Sequence, residues 1–198
     1  FYGPANSNQM MMEVMGLHLP GSAFVNAGTK LREAIVEQTA LRTATTTALG
    51  DEFIPFYDVI DERSIVNAII GLHATGGSTN HLIHLVAMAR AVGIKINWDD
   101  FSDLSSVIPL LAKVYPNGAA DVNQFHEAGG LSYVIRELID GGLLHGDVMT
   151  VMGQGLAPYT KIPELSGETI SWRAASTETG NSEILRPVED PFSATGGL

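Results

Sequence analysis

Apolar positions recur at helical spacing through most of the first 153 residues, and turn-forming residues break the pattern into segments. Asn6 or Ser7 can cap a first helix that runs to Met15, ends at Gly16 and is stopped by Pro20. Its four methionines, Met10, Met11, Met12 and Met15, read as flexible core filler. Thr29 can cap a long second helix with Leu31, Ala34, Ile35, Leu41 and Ala48 near one face. Asp61 opens another, with Ile65, Ile69, Leu72 and His73 stacked one above the other. That helix runs into Ala74-Thr75-Gly76-Gly77-Ser78-Thr79-Asn80, and the pattern of residues 80–92 predicts a further helix closed by Gly93.

Residues 94–98 alternate apolar and polar, the period of a strand, and residues 111–115 and 147–152 are short apolar runs of the same kind. Asp99 or Asp100 opens a helical turn between the first two. Asp121 caps a helix that breaks at Gly129-Gly130 and resumes over residues 131–140. Helices alternating with short apolar strands predict an α/β fold, with layered helices around a small, mostly parallel sheet. From Gln154 onward the chain is richer in Pro, Ser, Thr and Glu, with weak strand patterns only at 169–172 and 183–188. The expected division is an incomplete α/β domain over residues 1–153 and an extended connector over 154–198. There is no internal repeat.

Composition narrows the classes. The chain has 198 residues, enough for one domain with a substantial core. It has no cysteine, which excludes a disulfide framework and any thiolate metal site built from these residues. Its 22 acidic and 11 basic residues give a formal charge of −11, a balance that repels nucleic acid. An anionic small molecule remains compatible if helix N-termini, backbone N–H groups and a few placed cations hold it. The apolar run over residues 82–92 is about half the ~20 residues a membrane span requires and contains Arg90. The opening Phe1-Tyr2-Gly3-Pro4 has neither the basic start nor the apolar stretch of a signal peptide.

The strongest local signal for chemistry is Thr75-Gly76-Gly77-Ser78-Thr79-Asn80. Two glycines permit a tight turn and close approach of a ligand, and the hydroxyls sit where a helix N-terminus favours an anion. The competing reading is a plain joint between helices, with Ser78 or Thr79 as its N-cap. His81 and His84 are three apart on a helix but lack a third ligand at matching spacing, so packing or surface roles suit them better. His73 lies on an apolar helix face and reads as a hydrogen-bonded core histidine. His126, with Asn117, Asp121 and Asn123 nearby in sequence, forms a polar group just before Gly129-Gly130; the alternative is an ordinary turn and a capped helix start. Gly153-Gln154-Gly155 reads as a loop.

Several phrases carry a resemblance. Phe1-Tyr2-Gly3-Pro4-Ala5-Asn6-Ser7-Asn8-Gln9-Met10, Ala74-Thr75-Gly76-Gly77-Ser78-Thr79-Asn80-His81, and Ile96-Asn97-Trp98-Asp99-Asp100-Phe101-Ser102-Asp103-Leu104 occur in that order. They are followed by Tyr115-Pro116-Asn117-Gly118, Ala120-Asp121-Val122-Asn123 and Arg186-Pro187-Val188-Glu189-Asp190-Pro191. Over nearly its whole length the chain resembles the dihydroxy-acid and 6-phosphogluconate dehydratases; the Gly-Gly-Ser-Thr-Asn phrase is common to the family, while the phrases at residues 96–104, 115–118 and 120–123 resemble the 6-phosphogluconate branch. It departs from the pattern at Pro4, where the family has a small hydroxyl residue.

The resemblance implies a cytoplasmic, homodimeric hydro-lyase. In that reaction the C3 hydroxyl of the sugar acid leaves with help from a 4Fe-4S cluster acting as Lewis acid, and a base takes the C2 proton. It also allows a Mg2+ ion as a second cofactor. The family's cysteine ligands would lie upstream of Phe1 and its base in a C-terminal domain beyond Leu198, so the chain would be an internal piece with no metal ligand of its own. Asn6, Ser7 and Asn8 are then expected near the cluster. Gly76, Gly77, Ser78, Thr79 and Asn80 are expected to line the substrate cleft, with Asn117, Asp121 and His126 as further candidates. A dihydroxy-acid or other sugar-acid dehydratase, and a non-catalytic sugar-phosphate-binding domain, are the alternative readings.

Overall fold

The computed structural model describes residues 2–198, and side-chain chemistry accounts for most of its helix starts. Thr29 accepts the Arg32 N–H at 3.2 Å to open α2 (Lys30–Thr46). Asp61 and Ser64 cap each other's backbone N–H groups at the start of α4 (Glu62–Thr75), which follows the short α3 (Phe56–Val59). Asp121 and Gln124 do the same for α7 (Val122–Glu127). Such reciprocal caps satisfy two N–H groups that a helix end otherwise leaves unpaired. α1 (Pro4–Val14) begins earlier than Asn6 or Ser7, because Pro4 occupies its first turn after Gly3. Proline has no N–H to lose there and its fixed φ suits a helix start. Pro4 is therefore at a position that tolerates proline. α6 (Trp98–Ser105) is capped by Asn97, with Asp100 bonding back to the Asn97 N–H at 2.7 Å, so it too starts ahead of the expected aspartates. α5 (His81–Ala91) and α8 (Gly130–Asp140) complete the helices, and Gly129, at φ 135°, makes the break before α8.

The mixed α/β character holds, but the sheets are not parallel. β1 (Met149–Thr150) pairs antiparallel with β2 (Gly153–Gln154), and β3 (Lys161–Ser166) pairs antiparallel with β4 (Thr169–Ala174). Residues 94–98 form no strand. Ile94 and Ile96 are half-buried against the core while the residues beside them face solvent, so one-sided burial of an extended link produced the alternation. Residues 110–114 are extended but form no ladder, with isolated bridges from Leu110 to Ser193 and Ala112 to Leu185 antiparallel and from Val114 to Ala120 parallel. The partners of Leu110 and Ala112 lie far along the chain, and periodicity carries no information about that pairing.

α1 packs lengthwise on α4. Met10, Met11, Val14 and Met15 join Ile65, Ile69 and Leu72 in one fully buried layer, as the methionine-rich pattern predicts. A side chain at Gly71 would stand 2.8 Å from Met10 Sδ, so the bare backbone there lets the two helices close. After Gln154 the chain forms a 3-10 turn at Ala157–Thr160 and the β3–β4 hairpin. Tyr159, Ile184 and Leu185 from this stretch are buried in the same core as α4 and α8, and the Tyr159 hydroxyl donates to the His18 carbonyl at 2.9 Å.

Glu13 is the one acidic side chain within the buried face of α1. Its two carboxylate oxygens accept the N–H groups of Gly21 and Ala23, each at 2.7 Å. The Arg32 guanidinium secures the same loop from the other side through the Ser22 carbonyl at 2.8 Å. Burial pushes the Glu13 carboxyl from an ordinary 4.5 up to about 7, against the pull of the N–H groups. The folded state therefore holds a proton that the unfolded chain releases between these two values. Its contribution to stability is complete below about pH 4.5 and declines as pH rises towards 7. Glu13→Gln carries no proton to lose. Its melting temperature is expected to vary less with pH across that window than the parent's, in a thermal denaturation series at fixed ionic strength. At the acid end it should melt below the parent, because the amide nitrogen cannot accept one of the two N–H groups.

Candidate functional site: the turn between α4 and α5

α4 ends in a left-handed turn at Gly76, φ 60°. A Cβ on Gly76 would stand 2.4 Å from Asn117 Nδ2, which donates to the Gly76 carbonyl at 3.1 Å. A Cβ on Gly77 would stand 2.6 Å from Leu72 Cδ2. The backbone then runs through Ser78, Thr79 and Asn80 into α5, whose N-cap, Asn80, makes no side-chain capping bond. The Ser78 hydroxyl lies 3.4 Å from the Asn80 N–H, at the long limit of a hydrogen bond. Thr79 and Asn80 are exposed, and among the described residues neither side chain has a hydrogen-bond partner. Thr79 is not a cap. The turn presents a hydroxyl and an amide to solvent at the N-terminus of an eleven-residue helix, an arrangement that suits an anion.

The first turn of α1 supports this loop from below. The fully buried Ser7 accepts the Ser78 N–H on its Oγ at 2.9 Å. Tyr2, also buried, contacts Thr75 Oγ1 through its hydroxyl at 2.8 Å, and its backbone N–H donates to the Tyr115 carbonyl at 2.9 Å. His81 Nε2 donates to the Pro4 carbonyl at 3.1 Å, leaving Nδ1 buried without a partner among the described residues. Burial pushes the His81 imidazole below its ordinary value, consistent with a neutral ring. Its neighbour His84 is exposed, with the two rings 5.6 Å apart. No group of three His, Cys, Asp or Glu side chains able to hold a metal occurs among the described residues. Asn6 and Asn8, half-buried, flank Ser7 in this same first turn.

Of the more distant candidates, only Asn117 joins the turn. The Asp121 carboxylate is occupied as a cap, accepting the N–H groups of Asn123 and Gln124 at 2.9 Å each. His126 faces a separate cavity of about 420 Å³, lined also by Glu13, Phe24, Ser132 and Arg173. Burial lowers its pKa. His73 is the expected core histidine, with Nε2 donating to the Phe101 carbonyl at 2.9 Å. The bond between Tyr2 and Thr75 joins residues 73 positions apart, and no local pattern signals that pairing.

The chain is a mixed α/β fold whose Gly-Gly-Ser-Thr-Asn turn is braced by its first helix. Residues 1–159 match the family described as dihydroxy-acid/6-phosphogluconate dehydratase, N-terminal, and the chain belongs to that family. It is 55% identical to the phosphogluconate dehydratase of Rhizobium meliloti over 199 residues and 54% identical to that of Zymomonas mobilis over 200. Each match covers 100% of this chain but 33% of the relative, so the chain spans about a third of the length of those curated relatives. The chloroplastic dihydroxy-acid dehydratase of Arabidopsis thaliana is 34% identical over 195 residues, 98% of this chain and 29% of that protein. No helix among the described residues is long and apolar enough to cross a membrane.

Proposed function

We propose that this chain is part of a hydro-lyase that converts 6-phospho-D-gluconate to 2-keto-3-deoxy-6-phosphogluconate. The observation that carries the reading is the identity contrast, 55% to a phosphogluconate dehydratase against 34% to a dihydroxy-acid dehydratase over almost the same residues. In this reading the turn at residues 76–80 forms one wall of the substrate cleft. Ser78 and Thr79 donate hydroxyl hydrogen bonds to the sugar acid, the Asn80 amide adds a donor and an acceptor, and the start of α5 favours its negative charge. Gly76 and Gly77 let the backbone pass close to the ligand. The whole enzyme would be a cytoplasmic homodimer.

The reading of the whole enzyme includes an iron–sulfur cluster as Lewis acid, and a Mg2+ ion. The chain's own donors do not fit as ligands for the cluster. It has no cysteine, and the described residues contain no three-ligand group. The contribution of this chain is therefore to bind and orient the substrate, and Asn6, Ser7 and Asn8 act by shaping the wall rather than by ligation.

The test is substrate discrimination by a protein of the relatives' full length that carries this chain. kcat/KM for 6-phosphogluconate is expected to exceed that for 2,3-dihydroxyisovalerate by at least a hundredfold, measured as 2-keto acid formed. Equal or reversed preference would move the protein to the dihydroxy-acid branch, and tight binding of 6-phosphogluconate without turnover would make it a binding protein.

A further inference from the structure

The link over residues 94–97, between α5 and α6, has the alternation of a strand and no strand beside it. Its two ends are tied within the chain, the Ile94 N–H to the Ala89 carbonyl at 2.8 Å and the Asn97 N–H to the Asp100 carboxylate at 2.7 Å. Between them, the N–H groups of Lys95 and Ile96 and the carbonyls of Ile94, Lys95 and Ile96 make no hydrogen bond among the described residues. An extended segment with free backbone groups is a template for another strand. Shallow apolar depressions border it. One, of about 350 Å³, lies between the link and α5 and is walled by Leu82, Ile83, Val86, Ile96 and Trp98. A second, of about 330 Å³, lies between the link, α4 and α6, with Val66, Ile69 and Leu104 in its wall. Ile83 and Trp98 are 69% and 71% exposed, large apolar groups left facing water.

We propose that this edge is where a second copy of the chain docks, the two links pairing antiparallel about Ile96 while Trp98 of each copy enters the other's depression beside α5. The surface is complementary to itself in three ways. The apolar pattern of Ile94, Ile96 and Trp98 is symmetric about Ile96. An antiparallel copy therefore sets Ile94 opposite Trp98 and Ile96 opposite itself, apolar against apolar. Charge is complementary in the same sense. Arg90 and Lys95 precede Ile96 whereas Asp99, Asp100 and Asp103 follow it, so the pairing brings the basic end of one copy to the acidic end of the other. The patch also holds both a projecting indole and a groove, and a twofold contact needs knob and hole on one surface. A tryptophan seated in a pocket is the kind of side chain that dominates binding energy. The Ile83 N–H bonds the Asn80 carbonyl at 3.1 Å, so a copy docked on Ile83 lies next to the candidate site. This inference rests on the homodimer reading above and assigns its interface.

The experiment uses the full-length protein and reads its association by sedimentation over a concentration series, with amide hydrogen exchange in the peptide spanning residues 93–98. Trp98→Glu and Ile83→Glu change exposed side chains, so both variants should keep the parent's circular dichroism spectrum; either serves alone if the other does not fold. Each is expected to raise the dimer dissociation constant by roughly thirtyfold or more, the effect of losing a hot-spot side chain. In the parent dimer the Lys95 or Ile96 amide should exchange at least tenfold more slowly than after dissociation by dilution. Tyr57→Glu, on the chain's other stretch of exposed aromatic groups with Phe53 and Phe56, should leave association unchanged. A monomeric parent overturns the proposal and the homodimer reading together. A dimeric parent whose Trp98 and Ile83 variants associate within threefold of it overturns this interface and leaves the homodimer reading standing. So does dissociation by Tyr57→Glu alone, which moves the contact to the α2–α3 arm. Exchange at residues 93–98 that is equally fast in dimer and monomer overturns the strand pairing.

Discussion

Gly76→Ala is expected to destabilise the protein by roughly 2–4 kcal/mol, and Gly93→Ala, at another left-handed position, by only about half as much. The two glycines have φ of 60° and 83°, so an added Cβ strains the backbone at both. That strain alone costs roughly 1–2 kcal/mol. At Gly93 nothing lies within 4 Å of the new atom, and the strain is the whole effect. At Gly76 the new Cβ would lie 2.4 Å from Asn117 Nδ2, an approach no real Cβ makes. Asn117 must withdraw, and its bond to the Gly76 carbonyl goes with it. That bond is worth about 0.5–1.5 kcal/mol, and more if the carbonyl is left unpaired. Thermal or chaotrope unfolding of the two variants side by side measures the difference, which isolates the Asn117 contact from backbone strain. Equal losses would show that Asn117 is free to move and does not brace the turn. Because the Gly76 variant also shifts the turn, it should lose kcat/KM for 6-phosphogluconate, while the exposed Gly93 variant should not.

The pairing of Gly76 with Asn117 shows which parts of the structure can be read from sequence. Interactions that close within four residues were legible: Thr29, Asp61 and Asp121 cap the helices they were expected to cap, and the methionines of α1 fill the core. Local competition explains the small misses. Asn97 captures the start of α6 because its side chain reaches the Asp99 N–H at 2.6 Å, and Pro4 moves the start of α1 forward. The parallel sheet failed for a different reason. Alternation at 94–98 reports which side chains are half-buried, and an extended segment on the protein surface needs no partner strand to show it. The strands that do pair join through tight antiparallel links, Thr150 to Gly153 and Ser166 to Thr169, which are too short to join parallel strands. In the candidate site, the Gly-Gly-Ser-Thr-Asn phrase was visible because a glycine pair next to hydroxyls at a helix start has a backbone reason. Asn117 was among the candidates, but its contact with Gly76 was not foreseeable. The Tyr2–Thr75 bond and the Pro4 contact of His81 were invisible because each spans more than 70 residues. Asp121 and His126, grouped by closeness in sequence, take separate roles because Asp121 is spent capping the start of α7 while His126, in the last turn of that helix, lines a cavity.

Thr79→Asp is expected to lower kcat/KM for 6-phosphogluconate by tenfold to a hundredfold or more, while the melting temperature stays near that of the parent. The structure makes this substitution a clean probe, because the Thr79 side chain is exposed and has no partner among the described residues to lose. Aspartate is also well tolerated beside a helix N-terminus, where the dipole favours a negative charge by about 0.3–1 kcal/mol. If the hydroxyl donates to an anionic sugar acid, its removal alone costs about 1.5–3 kcal/mol, the worth of a hydrogen bond to a charged group. That converts to roughly a ten- to hundredfold loss in turnover efficiency. Repulsion between the new carboxylate and the substrate adds to it. Thr79→Val separates the two contributions, since it removes the donor at constant shape without adding charge. Raising the ionic strength should recover part of the activity of the aspartate variant, because exposed charges are screened over about 8–10 Å at physiological salt. The valine variant should show no such recovery. Parallel measurement of melting temperature and kcat/KM across a salt series for both variants decides the matter. Near-parent activity in both would return residues 76–80 to a plain joint between α4 and α5. Equal, salt-independent losses would mean that the hydroxyl matters and that no anion lies close to it.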